Sequence, residues 1–155
     1  MFCAFALALC MTPPPMQHAR PDPIIDIAKG KPEMAAAIRT AREGLPDFFK
    51  RYAAPGRGES YFLVKYDLVP GKVDEFIWAR VVARGDGVTT AILVNNPRAP
   101  GYRRGQSVTI PDAAVIDWSY VRDGKRVEGA FTTRALLSMV SPAEAAALRK
   151  SHGWD

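Results

Sequence analysis

The chain predicts an α+β domain with an N-terminal helix, a curled antiparallel sheet of about five or six strands, and C-terminal helices. Three observations carry this. Apolar residues recur at helical spacing from Met34 to Tyr52, and the period then shortens to alternation over short runs separated by Gly, Pro and Asn. A Ser-Pro-Ala-Glu motif at 141–144 opens a final helical stretch.

The folded body is expected to begin at Pro32, because proline at a first helical position loses no needed donor and Glu33 favours the positive helix end. Met34, Ile38, Ala41 and Leu45 form the inner stripe, and Phe48, Phe49 and Tyr52 continue it. Pro46 is expected to open a second turn or kink the helix, and Ala54-Pro55-Gly56 to end it.

The first strand spans Tyr61 to Leu68 and stops at Pro70-Gly71. The second runs from Asp74 to Arg84, with Ile77, Ala79, Val81 and Ala83 on an apolar face and Phe76, Trp78, Arg80, Val82 and Arg84 on a mixed one. Gly85-Asp86-Gly87 turns the chain into a third strand, Val88 to Val94. Ser107 to Ile110, Ala114 to Val121 and Arg126 to Phe131 supply shorter strands. In the fifth, alternation places Ile116, Trp118 and Tyr120 in the core and Asp117 and Ser119 on the other face, with Asp117 at the surface or in an ion pair. Thr132 or Thr133 is expected to cap a short helix through Leu136, Leu137 and Val140. Ser141 and Glu144 form a capping box for the last helix, with Ala147 and Leu148 on its inner side and Gly153 as its stop.

With 155 residues, 48% of them hydrophobic and 24% charged, the chain suits one domain, 32–155. Its net charge of +5 is dispersed, not gathered in a stripe, so nucleic acid is not the expected partner. Cys3 and Cys10 are the only cysteines and His18 and His152 the only histidines, which removes thiolate zinc sites, disulfide frameworks and most nucleophile–histidine chemistry from the body of the chain. No cofactor or metal is implied.

Residues 1–11 form an apolar leader, too short to span a bilayer at ~20 residues per crossing, and 12–31 a proline-rich spacer. Leu7-Ala8-Leu9-Cys10 resembles a bacterial lipoprotein box, which makes Cys10 a candidate for lipidation and the N-terminus the only expected membrane tether. Export to the periplasm or a lipid anchor in the envelope is the favoured localisation, with the cytoplasm as the alternative.

Several motifs in order, Glu75-Phe76-Ile77-Trp78, Leu93-Val94-Asn95-Asn96-Pro97, Ile116-Asp117-Trp118-Ser119-Tyr120, Asp123-Gly124 through Gly129 to Thr133-Arg134, and Ser141-Pro142-Ala143-Glu144, resemble the bacterial YegJ-like family, domain-of-unknown-function family 2314. The resemblance implies a small α+β domain and brings no reaction, substrate or catalytic residue with it. In that family a histidine often stands where this chain has Phe76.

Three functional classes remain. The favoured one is a non-catalytic binding or accessory module that presents Phe76, Trp78 and Arg80 to a protein or envelope component. The second is a hydrolytic enzyme using the carboxylates Glu75 and Asp117, with Arg134 binding a carboxylate, internal or from a ligand. The third is an anion or nucleic-acid binder through the loop carrying Arg98, Tyr102, Arg103 and Arg104.

Overall fold

The computed structural model describes residues 30–71 and 74–155, so the leader, nearly all of the spacer and Cys10 lie outside the described residues. Helix α1, Pro32–Ala53, starts as expected, with proline in its first turn beside Glu33. It continues through Pro46 instead of restarting there. Proline has no amide hydrogen, so the Arg42 carbonyl four residues back loses its helical donor, yet Ala41, Leu45, Phe48 and Phe49 remain one buried stripe.

Six strands follow: β1 Glu59–Asp67, β2 Phe76–Gly85, β3 Val88–Leu93, β4 Ser107–Pro111, β5 Val115–Arg122 and β6 Arg126–Gly129. Every neighbouring pair is antiparallel, and the order β4-β3-β2-β1-β5-β6 curls into a half-barrel. Between β2 and β3 the two-residue turn puts Asp86 and Gly87 at φ 53° and 74°, the left-handed pair that matches strand twist.

One sheet face forms the core against α1. Phe62, Val64 and Tyr66 of β1, Ile77, Ala79 and Val81 of β2, Ala91 and Leu93 of β3, and Ile110, Val115 and Tyr120 pack with Phe48 and Phe49. Half-buried Trp118 ties helix to sheet: its ring stacks on Phe48 with centroids 5.2 Å apart, and its Nε1 donates to the Ala41 carbonyl at 2.8 Å. Such ring pairs contribute about 0.5–1.5 kcal/mol beyond the area they bury.

Bulges correct the strict alternation read from sequence. One extra residue in β2, Val82, lies between the pairs Val81–Ala91 and Ala83–Thr90, so the phase flips. Ala83 turns away from the core, and Arg84 swings to the helix side, its guanidinium 4.0 Å from the Phe49 ring centre. An extra residue in β5, Ile116, lets Val115 and Trp118 both face α1 while Asp117 faces the other way. A third bulge, in β1, places Tyr61 at φ 53°.

After β6 the chain turns at Ala130, whose amide bonds to the Trp118 carbonyl at 2.8 Å, and enters helix α2, Phe131–Leu136, beside the first half of β5. Phe131 is therefore helical, where alternation predicted strand. Neither Thr132 nor Thr133 caps this helix; the cap position is Ala130, with no capping side chain of its own. Helix α3, Pro142–His152, carries the expected reciprocal capping box of Ser141 and Glu144 and stops at Gly153, φ 64°. Its inner side is Ala145 and Leu148; Ala147 is exposed. Among the described residues no helix is long and apolar enough to cross a membrane.

Candidate functional site

Glu75 sits immediately before β2 and is buried. Its two carboxylate oxygens accept from the Arg98 amide at 2.6 Å and the Ala99 amide at 2.9 Å, and its own carbonyl accepts from the Leu68 amide. A charged acceptor on two main-chain donors is a strong clamp, and here it fixes the loop between β3 and β4.

Of the two placements expected from sequence, the surface or an ion pair, the surface is ruled out: Asp117 is fully buried. It accepts four hydrogen bonds: from the amides of Trp118 at 2.8 Å, Phe131 at 3.1 Å and Thr132 at 2.8 Å, and from the Thr132 hydroxyl at 2.6 Å. Phe131 and Thr132 open α2, so this carboxylate does from β5 what a capping side chain at Ala130 would have done locally. That covering by the start of α2 is what buries it. Burial pushes the Asp117 carboxyl up, opposed by the Thr132 hydrogen bonds and the positive charge of Lys65.

The two carboxylates do not converge. Glu75 has the phase of Ile77 on the helix side, whereas Asp117 pairs in register with Lys65, and Lys65 with Trp78, on the opposite face. Lys65 escaped the sequence reading. Its ammonium donates to the Thr132 hydroxyl at 3.2 Å and lies 5.5 Å from the Trp78 ring centre, forming a row of Trp78, Lys65 and Asp117 across three strands. Burial pushes the Lys65 ammonium down, with the Asp117 charge opposing. Its only signal in the sequence was a lysine inside an otherwise apolar run, Tyr61–Tyr66, that alternation assigns to the solvent face.

Among the described residues Arg134 meets no carboxylate. It donates to the main-chain carbonyls of Gly129 at 2.9 Å and Val127 at 3.1 Å and stacks 3.9 Å from the Trp154 ring centre, tying β6 to the C-terminus. In the arginine loop, Tyr102 packs inward against the core while Arg103 and Arg104 are exposed, so the aromatic ring and the guanidinium groups do not share a face. The main chain of Arg98 is held by Glu75.

Phe76, Trp78 and Arg80 do share the sheet face that α1 leaves uncovered, all half-buried. Arg80 lies in register between Leu63 and Ile92 and makes no hydrogen bond or ion pair among the described residues. Among the described residues no His, Cys, Asp and Glu cluster could hold a metal ion.

Fold and site together define a small α+β domain whose buried carboxylates hold the main chain and whose curled sheet keeps one mixed face open. The chain belongs to the family described as an uncharacterized protein conserved in bacteria (DUF2314), which matches residues 31–155. No curated protein and no solved structure matches it.

Proposed function

We propose that the protein is a non-catalytic binding module of the bacterial cell envelope that captures a protein partner on the open sheet face. The observation that carries this reading is Arg80, an unpaired cation flanked in register by Leu63 and Ile92 and beside Trp78. Aromatic and arginine side chains supply most of the energy of protein interfaces, and a partner patch of apolar residues around one carboxylate complements this face. Glu75 and Asp117, the two groups an enzyme would have used, are occupied by main-chain donors.

Capture from an envelope extract of the native host tests it, with thermal melts of every variant. Trp78→Ala and Arg80→Glu are expected to melt near the parent and to lose the same captured protein, while Arg103→Glu keeps it. Unchanged capture by both face variants removes the face from function. Turnover of an ester, amide or phosphate substrate that is lost in Glu75→Gln or Asp117→Asn with the fold intact makes the protein an enzyme. For the envelope assignment, membrane fractionation is expected to show the parent with membranes and Cys10→Ser released.

A further inference from the structure

A second feature lies on the helix side of the sheet, away from the open face. Arg42, Leu45, Pro46 and Phe49 of α1, with Arg84 of β2 and Asp112 and Ala113 of the single helical turn before β5, line an open groove of ≈ 520 Å³. That volume is within the range of small-molecule sites, roughly 300–1,000 Å³.

Its chemistry has two parts. Leu45, Pro46 and Phe49 give an apolar floor. Above it the Val82 bulge has turned Arg84 inward, where it covers Phe49 and pairs with Asp112. Arg42 is held by one bond, from Nε to the Val115 carbonyl at 3.3 Å, so its two terminal nitrogens have no partner among the described residues. Two guanidinium groups against one carboxylate leave the groove with a net positive charge.

We propose that this groove binds a small organic monoanion, an acid with a flat apolar body, whose charged group sits between Arg42 and Arg84 while its body lies on Pro46. Forked donors of arginine match a carboxylate or sulfonate, and the apolar floor supplies burial for the rest.

Two fluorescent probes of the same aromatic body test it: 8-anilinonaphthalene-1-sulfonate, which is anionic, and N-phenyl-1-naphthylamine, which is neutral. The full chain is expected to bind the sulfonate saturably at one site, and Arg42→Gln to weaken it about tenfold, the size of one charge-assisted hydrogen bond in a partly exposed site. Asp112→Asn, which removes the like charge, is expected to tighten it several-fold. The neutral probe responds to neither change, and Trp78→Ala leaves sulfonate binding as in the parent, which keeps this test separate from the open face. Melts confirm that each variant is folded. Sulfonate binding that ignores Arg42→Gln, a neutral probe that binds as well as the sulfonate, or binding lost with Trp78→Ala each overturns the proposal.

Discussion

Replacing Asp117 with alanine should be among the most damaging single changes in this domain, and the structure sets the size. The substitution leaves three amides and a hydroxyl without their acceptor, two of those amides at the start of α2, and it leaves the Lys65 ammonium without its counter-charge. Each buried donor left without its acceptor costs about 1–3 kcal/mol, and here there are four, so a loss of at least about 3–5 kcal/mol is expected. In a domain of this size each kcal/mol moves the melting temperature by about 2–8 °C, so a fall on the order of 10 °C or more is expected by calorimetry or circular dichroism. The partner change is asymmetric. Lys65→Met removes the ammonium and its single hydrogen bond, worth about 1.5–3 kcal/mol at most, but leaves Asp117 with all four donors, so it should cost less than Asp117→Ala. Adding Lys65→Met to Asp117→Ala should then recover part of the loss, because the stranded charge is gone while the orphaned amides remain. If Asp117→Ala melts with the parent, or Lys65→Met harms as much as Asp117→Ala, the assignment of Asp117 as the cap of α2 is wrong.

The clamp at Glu75 should read out in hydrogen exchange: the Arg98 and Ala99 amides exchange slowly in the parent, faster in Glu75→Gln, and at least about tenfold faster in Glu75→Ala, since charged acceptors contribute about 1.5–3 kcal/mol each. Equal rates in all three would refute the clamp. Gly129→Ala should cost about 2–5 kcal/mol in denaturant unfolding, because at φ 74° a Cβ would come within 2.4 Å of the Trp118 carbonyl oxygen; Gly124→Ala, at φ 66° with open space around it, should cost only about 1–2 kcal/mol. At high pH the buried Tyr66 phenol, pushed up to about 12 by burial first and by Tyr102 second, keeps its proton in the folded state after the unfolded chain has lost it near 10. Its contribution to stability is therefore complete below pH 10 and fades as pH rises towards 12. Ultraviolet titration of the folded protein should show a phase near 12 that Tyr66→Phe removes.

What the sequence disclosed depended on how far apart the partners are along the chain. The capping box of α3 was legible because Ser141 and Glu144 are three residues apart and satisfy each other, and the stripe from Ala41 to Phe49 because helical period is local. The cap of α2 was not, because its acceptor comes from β5, 15 residues upstream of Thr132, and threonines at the expected place drew the assignment instead. Lys65 was hidden for a related reason. Alternation sends it to the face away from the core, which is right, but only pairing with Trp78 and Asp117 shows that this part of the face is buried.

The bulges matter most for function. Strand period is strictly two, so a single inserted residue reverses every side chain beyond it, and nothing in a run such as Arg80-Val81-Val82-Ala83-Arg84 marks where the insertion falls. Read without the bulge, Arg84 belongs with Trp78 and Arg80 and would add a second guanidinium to the open face. With it, Arg84 leaves that face and comes to lie over Phe49, near Arg42. One backbone insertion thus separates two surfaces of different chemistry, an open face with a lone arginine between aliphatic neighbours and a groove with two arginines above an apolar floor. Deleting Val82 would straighten β2 yet leave Ala83 opposite Thr90 and Arg84 opposite Thr89, so Arg84 should keep its place over Phe49 and both surfaces should survive the deletion.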